Sequence, residues 1–453
     1  MVRELRLNAF AMNCVGHQAQ GLWRHPRDRS AQYRSLNHWV ELARLLERGK
    51  FDALFLADVL GVYDVYGGSA DTALREAVQA PVNDPLLIIP TMAHATEHLG
   101  FAVTCNLSHE PPLPFARRMS TLDHLTEGRI GWNVVTGYLD SGAKGAGQGK
   151  QVPHDIRYDI AQEFMDIQYG LWEGSWEDDA VRRDREAGVF TDPTKVHRVS
   201  YDGEYFRVDG VHLCEPSPQR TPVIYQAGSS PKGMAFAARH AECVFIGGNS
   251  PSKMAGDVAR LRSLAAEFGR APSDILVFAL ATVVTGATDS EAEAKFADYQ
   301  SYVSEPGVLA LMSGWAGVDL SKPDLAKASA ANSNAIQSVA AGLAGGTART
   351  DDRVGRPVGL GGGGPAVVGG PKHVADELEA WAGEADLDGF NLAYVVMPET
   401  FADIVEHLVP ELQRRGLMKQ SYRRGAYREK LFGDGPRLNE RHPAARYRRP
   451  KSA

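Results

Sequence analysis

Several apolar runs in this chain stop at side chains that could hold a polar ligand. In Arg129-Ile-Gly-Trp-Asn-Val-Val-Thr-Gly137 the residues Ile130, Trp132, Val134 and Val135 are apolar on both faces, and Asn133 and Thr136 sit at or near the end. Two further runs close on Asp58 and Thr104. The segment Tyr225-Gln-Ala-Gly-Ser-Ser-Pro231 joins an apolar run to a helix start: Gly228 allows close approach, and Ser229 and Ser230 add hydroxyls to free backbone N–H groups. Such a helix start favours a phosphate, because its positive end and unpaired donors face the ligand. His154-Asp155-x-Arg157-Tyr158 precedes another helix and offers further phosphate partners. Asn13-Cys-Val-Gly-His17 brings a thiol, Cys14, and an imidazole, His17, directly after the first apolar run, where His17 could act in proton transfer. Each feature also has an ordinary reading: Asn and Thr begin turns everywhere, and Ser before Pro is a common helix cap. His17 with Asp58 suggests a metal, but no third carboxylate or histidine recurs at ligating spacing, so no metal is expected.

The elements that must position these residues alternate along the chain. Strands are expected at Leu5–Met12, Phe51–Asp58, His98–Cys105, Arg129–Thr136, Thr221–Gly228, Cys243–Gly248, Ile275–Thr285 and Gly389–Val396. Helices fall between them, at Asn37–Lys50, from Asp84-Pro85, at Pro114–Leu125, Tyr158–Trp172 and from Pro231, with Thr400–Arg415 last. Ser200–Leu213 reads as a hairpin turning at Asp202-Gly203. Eight strands with intervening helices predict an α/β fold, a (β/α)8 TIM barrel whose active site lies at the carboxyl ends of the strands. The barrel is expected to span residues 1–435, with insertions near 137–157, 173–220 and 301–365, followed by a C-terminal arm at 436–453. The Gly-rich loop 137–151 and the Ala/Gly-rich stretch 321–365 read as lids over a ligand or as plain surface loops. The glycines of the first loop form no GxGxxG at a helix mouth, so no dinucleotide fingerprint is expected there.

Composition narrows the class. The 453 residues are 43% hydrophobic and 23% charged, ordinary for a globular enzyme. A net charge of −7 speaks against nucleic acid, and no apolar run has the length of a membrane span. The start lacks the apolar core of a signal peptide. Four scattered cysteines form neither a CxxC pair nor a disulfide framework, so a cytoplasmic location is expected. The basic tail, Arg441 to Lys451, reads as a solvated arm or one draped on a neighbouring subunit.

Asn8-Ala-Phe-Ala-Met-Asn-Cys-Val-Gly-His17, Gly21-Leu-Trp-Arg-His-Pro26, Arg48-Gly-Lys-Phe-Asp52, Phe55-Leu-Ala-Asp58, Ser120-Thr-Leu-Asp-His124, Trp132-Asn-Val-Val-Thr136 and Gln226-Ala-Gly-Ser-Ser230 occur in register over nearly the whole chain. In these the sequence resembles the bacterial-luciferase-like flavin monooxygenases, in the branch acting on nitrilotriacetate, dibenzothiophene sulfone and pristinamycin precursors, and within it the members acting on dimethyl sulfide and long-chain alkanes. The resemblance implies an FMN cofactor, bound as FMNH2 delivered by a separate NAD(P)H:flavin reductase, with O2 activated through a C4a-hydroperoxyflavin. It implies that Asp58, Thr104, Asn133 and Thr136 line the flavin ring and that His154, Tyr158, Gly228, Ser229 and Ser230 take the phosphate. His17, Cys14, Tyr63, Gln79 and Tyr138 would then face oxygen and substrate, with His17 near the oxygen, Tyr63 and Tyr138 orienting, Gln79 bonding the substrate or its neighbours, and Cys14 chemical or merely a wall. Tyr138 and Leu311 agree with the sulfide-acting member, Cys14, Val15 and Gly16 with the alkane-acting one. The implied substrate is a small sulfide-type organosulfur or apolar molecule, cleaved at C–S. Terminal alkane hydroxylation, or oxygenation of a sulfone, heterocycle or amine, is the alternative. A homodimer or homotetramer is implied. A deazaflavin hydride-transfer enzyme, a flavin-storage protein and a metal-dependent barrel hydrolase remain as competing readings.

Overall fold

The structure is a computed structural model that describes residues 4–228, 230–248, 250–322, 335–336, 339–340, 360–361 and 364–449. Eight parallel strands form a closed ring: β1 (Arg6–Met12), β2 (Ala53–Ala57), β3 (Gly100–Asn106), β4 (Ile130–Val135), β9 (Val223–Ala227), β10 (Cys243–Ile246), β11 (Leu276–Thr285) and β13 (Gly389–Ala393). Pairing of β10 with β11, and of β13 with both β11 and β1, closes it. These are the eight strands expected from the sequence. Their apolar character on both faces follows from burial on both sides. Outward residues such as Leu54, Trp132 and Phe390 pack with the helices. Inward residues, Phe55, Tyr225, Phe278 and their neighbours, fill the interior.

The floor of the barrel is closed by the short helix Tyr427–Phe432. Tyr427 enters the interior cluster, and its hydroxyl hydrogen-bonds that of Tyr225. Gly100 makes room for it, since a Cβ there would stand 2.6 Å from the Tyr427 ring. With the floor plugged, the carboxyl ends of the strands are where a ligand can enter.

Several local features differ from the sequence reading. The hairpin pairs Val199–Asp202 (β7) with Arg207–Gly210 (β8), so Asp202 lies in the strand opposite Arg207 and the turn is 203–206. The cause is a distant carboxylate: Glu163 accepts from the N–H groups of Glu204, Tyr205 and Phe206 at 2.8–3.1 Å, which organises a wider turn. A second hairpin joins β5 (Val181–Asp184) to β6 (Val189–Thr191). A ninth parallel strand, β12 (Ala366–Gly369), pairs with the far end of β11. Asp84 does cap its N-terminus, accepting from Leu86 N–H at 2.8 Å, but it caps one 3-10 turn, and the helix proper starts at Ile89. The described part of the C-terminal arm lies on its own chain: Arg437 and Arg448 pair with Glu173, Arg441 with Asp274 and Arg446 with Asp166. Most of the stretch expected as a lid at 321–365 lies outside the described residues. The other glycine-rich loop contains a short helix, Asp140–Gly145.

Candidate active site

Three groups of side chains meet at the barrel mouth. The first descends from β1. Beyond Met12 the chain forms isolated bridges, Cys14 with Val82 and Gly16 with Val78, which seat the segment 78–82 against it. Gly16 must be glycine for this approach, since a Cβ would fall 2.4 Å from the Ala77 carbonyl oxygen. The His17 ring stands edge-on to Phe10 at 4.5 Å and is 1% exposed. Burial pushes its pKa down to about 3, so the imidazole is neutral near pH 7. Gln18 Nε2 lies 3.4 Å from His17 Nε2. Among the described residues Nδ1 is buried with no partner. Burial, and then the charge of Asp58, push the Cys14 thiol up, so Cys14 keeps its proton and points it at the Gly16 carbonyl, 3.5 Å away. A buried, protonated thiol is a poor nucleophile.

Gln79 anchors a chain of hydrogen bonds. Its Nε2 donates to the His17 carbonyl at 3.0 Å, and its Oε1 accepts from the Tyr63 hydroxyl at 2.8 Å. The Tyr63 and Tyr138 oxygens are 2.5 Å apart. Burial pushes both phenols up, Tyr138 to about 12. Around them lies an apolar cluster that includes Val59, Val78, Leu139, Leu311 and Trp315.

The second group lies at the ends of β2, β3 and β4. Thr104 and Asn133 are register partners, and Asn133 Nδ2 donates to Thr104 Oγ1 at 2.9 Å. The Asn133 Oδ1 is buried with no partner among the described residues. Asp58, just past β2, is half-buried; burial first, and the charge of Asp84 second, lift its carboxyl to about 7. Thr136 is half-buried and its carbonyl accepts from Ser108 Oγ at 3.0 Å. Next to it, Gly137 O accepts from the buried Arg157.

The third group surrounds the start of the helix Pro231–His240. Ser230 is its N-cap, accepting from Gly233 N–H at 3.0 Å. The Tyr158 hydroxyl leans over this helix start: a Cβ on Gly233 would come within 2.6 Å of it and one on Gly228 within 3.2 Å. Two glycines therefore admit the phenol to the helix's positive end. His154 meets the Tyr158 ring edge-on at 5.2 Å and pairs with Asp155 at 2.7 Å. Ser229 lies outside the described residues.

Sequence reading missed three residues here. Gln226, whose Oε1 is buried and unpartnered among the described residues, sits beside Tyr158. Gly314 and Trp315, on the helix Glu305–Ala316, press on Tyr63 and Tyr138. A glycine inside a helix was the available signal for Gly314.

The unpartnered buried atoms His17 Nδ1, Asn133 Oδ1 and Gln226 Oε1 arise at the ends of β1, β4 and β9. Buried polar atoms are normally satisfied, so these three could take hydrogen bonds from or to a polar ligand. Among the described residues no group of three or more His, Cys, Asp or Glu is placed to hold a metal. The model of the luciferase-like monooxygenases matches residues 17–386. The chain belongs to the luciferase-like monooxygenase family. Among members with assigned activities, this luciferase-like monooxygenase is 52% identical over 450 residues to a long-chain alkane monooxygenase of Geobacillus thermodenitrificans (strain NG80-2), covering 99% of both chains. A solved long-chain alkane monooxygenase superposes with a TM-score of 0.91, over 99% of this chain and 100% of the other. Identity to the dimethyl-sulfide monooxygenase of Hyphomicrobium sulfonivorans is 50%, over 99% of this chain and 94% of that one. A riboflavin lyase solved with a modified FMN is 36% identical, with a TM-score of 0.89 over 99% of this chain and 100% of that one. The family to which this luciferase-like monooxygenase belongs uses reduced FMN.

Proposed function

We propose that this monooxygenase binds reduced FMN in the barrel mouth and uses O2 to oxygenate a small apolar substrate, a dialkyl sulfide before all others. The observation that carries the reading is the meeting, at one mouth, of a phosphate-type cradle, unpartnered ring-facing polar groups and an apolar wall. The Ser230 and Tyr158 hydroxyls hold the phosphate at the helix's positive end. His154 completes its rim. Asn133, locked by Thr104, presents a fixed acceptor to the flavin ring, and Asp58 and Thr136 border it. His17 presents the unpartnered Nδ1 without changing charge, since it stays neutral. When bound, reduced FMN supplies the electrons and the place at which O2 is activated. The protein's part is to orient these groups and exclude water.

On a dialkyl sulfide, insertion of one oxygen at the carbon beside sulfur breaks the C–S bond to give a thiol and an aldehyde. The second oxygen leaves as water with the two hydrogens of FMNH2. On an alkane the same insertion gives a primary alcohol. The two closely similar relatives named above, one for each substrate, differ by only two points of identity to this chain, so identity does not choose between them. Tyr138 and Leu311, which agree with the sulfide-acting relative in the resemblance and meet in one apolar cluster, favour the sulfide. A separate NAD(P)H:flavin reductase is proposed to deliver the FMNH2. One relative is itself named component A of a nitrilotriacetate monooxygenase, which supports a divided system.

The test supplies FMNH2 from a generic flavin reductase under O2 and offers sulfides, sulfones and alkanes, with products read by mass spectrometry. Thiol plus aldehyde from a sulfide is the expected result. Consumption of none of these substrates, by protein that binds FMNH2, overturns the substrate reading; failure to bind FMNH2 overturns the cofactor reading.

A further inference from the structure

We propose that Gln20 is a positioning residue for the oxygenation: together with Gln79 it clamps the His17 carbonyl and so sets where the imidazole stands in the mouth. The proposal rests on the oxygenation reading above, in which His17 faces oxygen and substrate, and it names the residue that holds His17 there.

The His17 carbonyl accepts two side-chain hydrogen bonds, from Gln20 Nε2 at 2.8 Å and from Gln79 Nε2 at 3.0 Å. A carbonyl oxygen has two lone pairs and only accepts, so both amides turn their nitrogens to it and the oxygen is saturated. The two donors come from different parts of the chain. Gln20 lies three residues beyond His17, whereas Gln79 belongs to the segment seated against Cys14 and Gly16. The 17–18 peptide is therefore held from two sides, and with it the direction in which the His17 side chain leaves the backbone.

Both donors are themselves fixed. Gln79 has a φ of 49°, in the left-handed region that favours glycine. In that conformation one residue serves two successive carbonyls: its N–H donates to Gly16 O at 2.8 Å and its side chain to His17 O. Gln20 is 0% exposed, and its own carbonyl accepts from Ser304 N–H at 3.0 Å. Two glycines admit its side chain: a Cβ on Gly307 would stand 3.1 Å from Gln20 Cβ, and one on Gly16 would stand 3.0 Å from Gln20 Oε1.

This arrangement argues for position rather than stability. Gln20 Oε1 is buried with no partner among the described residues, and a half-satisfied buried amide stabilises a fold less than an apolar side chain of its size. Without Gln20 the His17 carbonyl would still keep the Gln79 donor. What Gln20 adds is a second constraint on the peptide that carries the imidazole.

Gln20→Met keeps the length of the side chain, removes the donor and leaves Gln79 in place. With FMNH2 supplied by a generic reductase, product formed per O2 consumed is expected to fall about tenfold, the remaining O2 leaving as H2O2 with the two hydrogens of FMNH2. The urea midpoint should be unchanged or raised. In a His17→Phe background the same substitution should move the ratio by less than about twofold, because a residue acting through the imidazole has nothing left to act on. An unchanged ratio with His17 present, an equal fall in both backgrounds, or a variant that is destabilised or fails to fold each overturns the positioning claim. The crystal structure of the Gln20→Met apoprotein judges the claim apart from turnover, and it decides if His17→Phe forms no product. There the His17 ring should leave its 4.5 Å edge-on contact with Phe10, and an unmoved ring overturns the claim. Wild-type protein that oxidises no sulfide or alkane sinks the oxygenation reading instead.

Discussion

Asp58 and His17 stand at the same mouth and are driven to the uncharged state from opposite sides. Burial and the charge of Asp84 lift the carboxyl to about 7, while burial alone lowers the imidazole to about 3. A mouth that is close to neutral at physiological pH suits a reaction that must exclude water. Asp58 also leaves a signature in stability. Its folded pKa lies above the unfolded value of 3.8, so the folded state holds an extra proton between about pH 4 and 7 and loses that advantage as pH rises through 7. Asp58→Asn mimics the protonated acid and should stabilise the protein at pH 8 by roughly 1–3 kcal/mol, and by about a third of that at pH 5, in urea titrations. An equal gain at both values would mean the carboxyl is not the cause. The cysteines give a second check. Cys14, Cys105 and Cys243 are buried and Cys214 is partly exposed. A thiol reagent should therefore label one site quickly in the native protein and all four only after unfolding; fast native labelling of Cys14 would contradict its role as a wall. Asn133, Thr104 and Asp58 were legible in the sequence because a polar residue stands out at the end of an apolar strand. Tyr63 and Gln79 lie in irregular connections and were reached only through resemblance. Trp315 sits on a helix far from any strand end, where nothing local distinguishes it from a core aromatic.

All eight barrel strands were legible because strands buried on both faces are long apolar runs, and such runs rarely arise otherwise. The elements that escaped are those whose cause lies elsewhere in the chain. Val181–Asp184 and Val189–Thr191 are largely exposed and pair only with each other. Ala366–Gly369 is four residues long and is recruited by the far end of β11. The 203–206 turn was misplaced because its organiser, Glu163, is some forty residues away on another helix. This makes the hairpin testable as an element. Glu163→Ala removes the acceptor shared by three backbone N–H groups and should lower stability by about 1–2 kcal/mol. Amide exchange at Glu204, Tyr205 and Phe206 should accelerate, while FMN binding stays unchanged. Unaltered exchange at these amides would show that the turn holds itself.

At the scale of the whole molecule the C-terminal segment ties the barrel together. Tyr427 plugs the floor, and the neighbouring Arg428 is buried against Glu242 while donating to the carbonyls of Thr221, Pro222 and Pro436. Beyond it Arg437 and Arg448 converge on Glu173, whose side chain is 0% exposed. Burial pushes Glu173 up, but the two guanidinium groups outweigh it and hold its pKa below the usual carboxylate value. His442, in the same segment, is buried over the His240 carbonyl, and burial pushes both histidines far down. His212 is lowered by burial to about 4. These shifts act in one direction on acidification. The buried histidines bind fewer protons than their unfolded counterparts below about pH 6.5, and Glu173 releases the stability it lends above its unfolded value of 4.5 as the pH drops past it. Each such histidine removes about 1.4 kcal/mol per pH unit once the unfolded form is protonated. With His17, His212, His240 and His442 acting together, unfolding free energy should fall steeply between pH 6 and pH 4, with more than two protons taken up on unfolding. The measurement is the slope of unfolding free energy against pH. A slope below that of one proton would show that these imidazoles charge without unfolding, which would require water to reach the interior that Tyr427 and the arginine-rich arm close.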